Sequence, residues 1–267
     1  MSAFTKQIKK LINVPLRSIG FQLDRYSPRG PVFTAYEASK LDEQIYSQVA
    51  KFTMSPPDPI YSLISSVRYV IDNEIEGDFV ECGTWRGGCA MTIALTLSDL
   101  GVSDRQIWIY DTFHGMTKPG PVDLALDIKT GEMKIPAEKF FVRHKGTEDG
   151  SEWVRAPLRD VQSNLSSTSY PLESIEYVKG DVAKTLNETV PRKISLLRLD
   201  TDWYESTLKE LEILYPKLSS GGVCIVDDYG CWAGARQAVD EYFHKNPPLP
   251  LFHITNWSVR TFIKAAG

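Results

Sequence analysis

No apolar run in the 267 residues approaches the ~20 consecutive positions that a membrane-spanning helix needs. The N-terminal stretch from Phe4 to Ile19 is interrupted by charged and polar residues, so it does not read as the apolar core of a signal peptide. Basic charge is not in excess: 30 Lys and Arg stand against 34 Asp and Glu, and no long basic stripe occurs. That balance speaks against a nucleic-acid-binding surface. Cysteine is sparse, and Cys82, Cys89, Cys224 and Cys231 show no C-x-x-C spacing. They read as reduced core thiols, which points to a cytoplasmic protein. Internal repeats and low-complexity linkers are also missing.

What is present is a 42% hydrophobic chain, enough for one large core, or one core with a small lid. Residues 1–57 read as a helical arm or lid. Within it, Lys6, Lys9, Lys10 and Arg17 alternate with Ile8, Leu11, Ile12 and Leu16 in a basic amphipathic pattern. This pattern suits an oligomer contact, and so a homo-oligomer through the arm, or else a frayed arm, better than a membrane surface. Leu41, Ile45, Val49 and Phe52 form a helical stripe that Pro56 and Pro57 stop, and a second helix is expected from about Ile60 to Asn73. From Gly77 strands and helices alternate. Strands are expected at 79–82, 106–110, 174–178, 194–199 and 223–226, with closing strands in 252–264. Helices are expected at 90–100, 235–243 and along Leu208, Leu211, Leu214 and Leu218. This rhythm predicts an α/β fold with a doubly wound, mostly parallel sheet over 58–267. The insertion from about Met116 to Ser166 breaks it and reads either as a substrate lid or as a surface loop.

Two of the expected strands end in paired acids, Leu199-Asp200-Thr201-Asp202 and Ile225-Val226-Asp227-Asp228. If the strands are neighbours, four carboxylates meet at the sheet edge where open α/β sheets hold ligands. Clustered like charges are costly without a positive partner, and oxygen-only ligands favour a hard divalent cation. A glycine-rich turn, Glu81-Cys-Gly83-Thr84-Trp-Arg-Gly87-Gly88, follows the first strand, and it is not the G-x-G-x-x-G dinucleotide fingerprint. Asp111 ends the next strand, where it can accept ribose hydroxyls, and Asp181 is placed to reach an adenine amino group. Acids after three successive strands without a phosphate-binding loop fit S-adenosylmethionine. Taken alone, Asp181 reads first as a helix cap or turn residue.

The stretches Asp78-Phe-Val-Glu-Cys-Gly-Thr-Trp-Arg-Gly-Gly, Tyr110-Asp-Thr-Phe-His-Gly-Met, Leu197-Arg-Leu-Asp-Thr-Asp-Trp-Tyr-Glu-Ser-Thr and Val226-Asp-Asp-Tyr-Gly resemble the macrocin O-methyltransferase family, over roughly Asp58 to Phe243. The resemblance implies a Rossmann-like class I methyltransferase that uses S-adenosylmethionine and Mg²⁺ to methylate a sugar hydroxyl of a glycosylated natural product or glycan precursor. Carried over by motif, Asp200, Asp227 and Asp228 match the metal ligands and Asp202 the general base. The cofactor-binding candidates are Glu81, Gly83, Thr84, Asp111, Thr112, Asp181 and Asp200. Asp202 can alternatively cap the helix beginning near Tyr204. His114 departs from the family, which usually has Glu there, so no role passes to it. Trp85, Trp203, Tyr204 and Tyr229 are candidates for the acceptor wall, with core packing as the plainer role. Leu16 to Arg25 is loosely similar to leaders on methyltransferases of surface-polysaccharide pathways. Two other functions share these features, a catechol-type O-methyltransferase and a non-catalytic S-adenosylmethionine-binding protein.

Overall fold

The acid-bearing apolar runs form adjacent strands. A computed structural model describes residues 37–127, 130–147 and 150–265; the basic N-terminal pattern and the leader-like segment lie outside these. Helices α1 (Lys40–Val49) and α2 (Pro57–Asp72) precede strand β1 (Asp78–Cys82), helix α3 (Gly88–Asp99) and strand β2 (Ile107–Asp111). The insertion then builds strands β3 (Leu124–Asp127) and β4 (Glu132–Pro136) and helices α4 (Glu138–Arg143) and α5 (Leu158–Ser166). Strand β5 (Ile175–Lys179), helix α6 (Val182–Thr185), strand β6 (Ile194–Leu199), helix α7 (Tyr204–Leu214) and strand β7 (Leu218–Val226) follow. Helix α8 (Ala233–Lys245) and strands β8 (His253–Ile254) and β9 (Arg260–Ile263) complete the described chain.

The seven-stranded sheet has the order β5-β2-β1-β6-β7-β9-β8. Strands β5 to β7 pair in parallel, β9 enters antiparallel to β7, and β8 lies antiparallel to β9. Strand order reverses between β1 and β6, so the crevice at their carboxyl ends is the topological switch point where such sheets hold ligands. Alternation along each strand feeds two apolar layers. Phe79, Ile107, Leu196 and Ile225 face α1, α2 and α3, while Val80, Leu197, Leu199 and Val226 face α7 and α8.

Three expectations shift on contact with the structure. Ile45 and Val49 of α1 are buried in the same core as α2 and α3, so the described part of the 1–57 arm is built into the domain. Leu218, expected in a helix, begins β7 instead. Pro216 tightens the turn after α7, and a register shift between Ile194 and Leu196 lets Leu218 pair with Ile194 and Val223 with Leu196. The insertion forms a hairpin and two helices. The remaining boundaries fall close to expectation, including Gly101, whose positive φ closes α3 while Val102 N–H returns to the Leu97 carbonyl at 2.9 Å.

The α1 end is fixed electrostatically. Ser39 and Asp42 form a reciprocal capping box, and Arg68 of α2 reaches Asp42 at 2.6 Å. Burial opposes ionisation of Asp42, but Arg68 and the Ser39 N–H outweigh it and hold its carboxyl below the ordinary 3.8. A depressed folded-state pKa contributes stability above the unfolded value and loses it as pH falls through the folded one. Asp42→Asn is therefore expected to lower unfolding free energy by about 1–2 kcal/mol at pH 7, and by progressively less below pH 3.8. Urea titrations of both proteins across pH 2–7 check this.

Candidate active site

Backbone ladders carried one residue past the strands set the site's frame. Gly83 N–H bonds the Tyr110 carbonyl at 2.8 Å, Asp200 N–H the Cys82 carbonyl at 2.9 Å, and Asp227 N–H the Leu199 carbonyl at 2.9 Å. Gly83 has φ of +80°, and a Cβ on it would collide with the Asp200 carbonyl oxygen. Only glycine lets the β1 and β6 ends approach this closely. The glycine thus serves strand-end packing while also lining the cavity.

Register then aligns side chains across the strands. Glu81 pairs with Arg198, and Arg198 with Ile225, two residues before Asp227 on the same face. The Arg198 guanidinium is 4% exposed and meets Glu81 at 2.9 Å, Asp200 at 2.6 Å and Asp227 at 2.8 Å. Burial pulls the Arg198 pKa down, but Asp200, Asp227 and Glu81 more than offset it, and the guanidinium stays charged. Glu81 is fully buried and also accepts the Thr84 hydroxyl at 2.7 Å.

Asp200, Asp227 and Asp228 each offer a carboxylate oxygen, all within 4.8 Å of one another. Asp228 accepts the Asp202 N–H at 3.3 Å and the Cys231 thiol at 3.3 Å. Burial, followed by the charge of neighbouring acids, raises the carboxyls of Asp200 and Asp228 well above the ordinary range; Arg198 only partly relieves Asp200. Oxygen-only donors crowded by unbalanced negative charge fit a hard divalent cation.

Asp202 adopts a left-handed backbone, φ +67°, and lines the same cavity. Burial, with the Asp200 charge beside it, pushes its carboxyl up to about 8, while hydrogen bonds from Asp228 and the Trp232 indole oppose the rise. It does not cap α7. The cap comes from the insertion: Asp123, 2% exposed, accepts the Tyr204 N–H at 2.9 Å and the Gly120 N–H at 2.6 Å. Behind the acid turn, Glu210 is fully buried and takes the Thr201 hydroxyl at 2.9 Å. Burial raises its carboxyl well above the ordinary range.

The other candidates share a cavity of about 440 Å³ with these acids, and Thr53 to Pro56 also border it. Asp111 accepts N–H bonds from Thr84 at 2.8 Å, Trp85 at 3.3 Å and Phe113 at 2.6 Å, so its carboxylate ties the glycine turn to β2. Thr112 donates to the Gly115 carbonyl at 2.7 Å. Asp181 caps α6, accepting the Ala183 N–H at 3.0 Å, while still bordering the cavity. Trp85 lines the cavity, but Trp203 is buried behind it at 2% exposure, and Tyr204 and Tyr229 do not border it. Trp153 and Trp232, which the sequence reading passed over, do. His114 is exposed and outside the cavity, and His144 stacks on Trp153.

A mostly parallel sheet with an antiparallel closing strand, and acids gathered at its switch point, defines a class I methyltransferase fold. The solved O-methyltransferase NovP superposes with a TM-score of 0.72 at 25% identity, covering 85% of this chain and 98% of that one. Residues 42–261 match the macrocin O-methyltransferase (TylF) family, and the chain belongs to it. The 8-demethyl-8-(2,3-dimethoxy-alpha-L-rhamnosyl)-tetracenomycin-C 4'-O-methyltransferase of Streptomyces olivaceus is 33% identical over 66% of this chain and 61% of its own length. Demethyldecarbamoylnovobiocin O-methyltransferase of Streptomyces niveus is 35% identical over 66% of this chain and 62% of its own. The match thus spans somewhat less than two thirds of each of these relatives.

Arg198→Met strands Glu81 as a buried charge, and is expected to destabilise the fold by about 3–5 kcal/mol. Removing both charges in Glu81→Gln/Arg198→Met is expected to recover part of that loss. Guanidinium unfolding of the single and double variants measures the coupling, and a double variant no more stable than Arg198→Met contradicts it.

Proposed function

We propose that this chain is an S-adenosylmethionine- and Mg²⁺-dependent O-methyltransferase acting on a sugar hydroxyl of a glycosylated natural product or glycan precursor, in the cytoplasm. The observation that carries the reading is one cavity holding both the Asp200, Asp227 and Asp228 oxygens and Asp202. The two relatives named above act, by their names, on a rhamnosyl-bearing polycyclic compound and on a novobiocin precursor. S-adenosylmethionine supplies an electrophilic methyl on a sulfonium; Mg²⁺ held by Asp200, Asp227 and Asp228 supplies acidification of a coordinated hydroxyl.

The chain's own groups do the rest. Arg198 holds Asp200 and Asp227 by one oxygen each, which restricts their rotation toward the cavity. Asp202 receives the hydroxyl proton as the new C–O bond forms and the S–CH₃ bond breaks, a contribution of ~10²–10⁴-fold for a positioned base. Glu81, Thr84 and Asp111 fix the glycine turn that borders the cofactor side.

Methyl transfer is expected to vanish on chelation and to fall by ~10²-fold or more in Asp202→Asn with S-adenosylmethionine affinity nearly intact. Activity unchanged by chelation overturns the metal assignment. Testing glycosides beside catechols, as acceptors of a labelled methyl group, separates the sugar reading from its catechol-type alternative.

The pH profile supplies a second check. Asp202 must be ionised to accept a proton, so activity rises with pH through its pKa. A bound cation favours the carboxylate and draws that pKa below the value of about 8 set by burial. An acid limb with its midpoint under 8, absent in Asp202→Asn, is expected.

A further inference from the structure

We propose that Trp153 and Trp232 form an inclined aromatic corner against which the acceptor's pyranose ring packs by its apolar C–H faces. This rests on the sugar-hydroxyl reading above. Both indoles line the cavity that contains Asp202, and the Trp232 side chain lies near enough to Asp202 to favour its carboxylate. An acceptor whose hydroxyl reaches Asp202 therefore lies beside the Trp232 ring.

The corner is built and held. Trp153 and Trp232 lie 6.0 Å apart between centroids and inclined at 63°. Trp203 packs edge-on behind Trp232 at 4.9 Å, with its own N–H fixed on the Thr117 carbonyl at 3.1 Å. Phe140 at 5.6 Å and His144 at 5.8 Å back Trp153. The insertion is sewn to the acid loops on this side: Leu126 N–H bonds the Cys231 carbonyl at 2.9 Å, and Ala125 pairs with Trp232 as an isolated bridge. Rings restrained in this way present their electron-rich faces at little conformational cost on binding.

The inclination separates two kinds of diol. A flat catechol carries its C–H groups only in the plane of its ring, so it can stack on one indole and meet the other only by an edge. A chair presents C–H groups in several directions, so a single pyranose can meet both indoles while its hydroxyls point to the acids. The structure thus assigns a saturated ring to this corner, and assigns acceptor selection in part to the insertion.

The test uses the full chain with S-adenosylmethionine and Mg²⁺, and methyl α-L-rhamnopyranoside and catechol as probes. Trp153→Leu is expected to raise KM for the glycoside roughly tenfold, with kcat within about threefold and S-adenosylmethionine affinity unchanged. Trp153→Phe, which keeps a ring and secures the test if the leucine variant folds poorly, is expected to fall between wild type and Trp153→Leu. Trp232→Phe keeps a ring but removes the indole N–H from beside Asp202, so its loss is expected chiefly in kcat. In saturation-transfer NMR the ring C–H protons of the glycoside should receive the strongest transfer, diminished in Trp153→Leu. Glycoside turnover with KM unchanged in both Trp153 variants overturns the corner and leaves the sugar reading standing. Wild-type turnover of catechol with none of the glycoside overturns both.

Discussion

One buried guanidinium organises this site. Arg198 sits on a central strand with Glu81 and Asp227 on its flanks and Asp200 two residues further along its own chain. A cation in this position is a condition of the fold, because β1 and β7 each bring an acid to the face Arg198 occupies. It is not sufficient for neutrality. Arg198 meets Glu81, Asp200 and Asp227, Asp202 and Asp228 lie beyond its ion pairs, and burial together with mutual repulsion pushes Asp200, Asp202 and Asp228 toward protonation. The divalent cation proposed above would answer the same imbalance without protons, and its binding would release them.

The loops that carry the acids hold unusual backbone. Trp85, Phe113 and Asp202 have φ of 47°, 52° and 67°. Each such non-glycine residue costs of the order of 1 kcal/mol, and persists only where its surroundings over-determine it. Here the determinants are visible. Asp111 pins Trp85 and Phe113 through their N–H groups, and Asp228 accepts the N–H of Asp202. An acid expected to bind ribose therefore also serves as the clamp of the turn beside it. The two roles are compatible, since each carboxylate oxygen can accept more than one bond.

How much of this was legible in the sequence depended on the range of the interaction. Acids placed directly after apolar runs announce themselves, because the run dictates a strand and the strand delivers its next residue to the sheet edge. The convergence of Asp200, Asp202, Asp227 and Asp228 needed only one further fact, that β6 and β7 are neighbours. Arg198 was passed over because it interrupts a fully buried strand without any local partner, and its acids become apparent only from register. An arginine in such a run is itself a signal, since a parallel core strand cannot leave it unpaired. Asp123 caps α7 from 81 positions away, and no local pattern marks it. Trp153 was invisible for the same reason, whereas Trp232 lies outside the insertion, four residues past Asp228. The insertion carries no sustained periodicity, so nothing in the chain indicated which of its faces meets the acids.

Those long-range ties make the proposed acceptor wall and the proposed proton acceptor parts of one unit. Thr117 holds Trp203, Asp123 holds the start of α7, and Ala125 pairs with Trp232, which lines the same cavity as Asp202. Gly234 allows the closest of these approaches, since a Cβ there would collide with the Asp123 carboxylate. A change in the insertion backbone therefore bears on Trp232 and on the start of α7, whereas a change confined to the cavity-facing side of Trp153 does not. Acceptor range in this fold can diverge through side chains on a fixed insertion frame more readily than through remodelling of the frame itself, because misplacing a base by about 1 Å can cost as much as 10²-fold in rate.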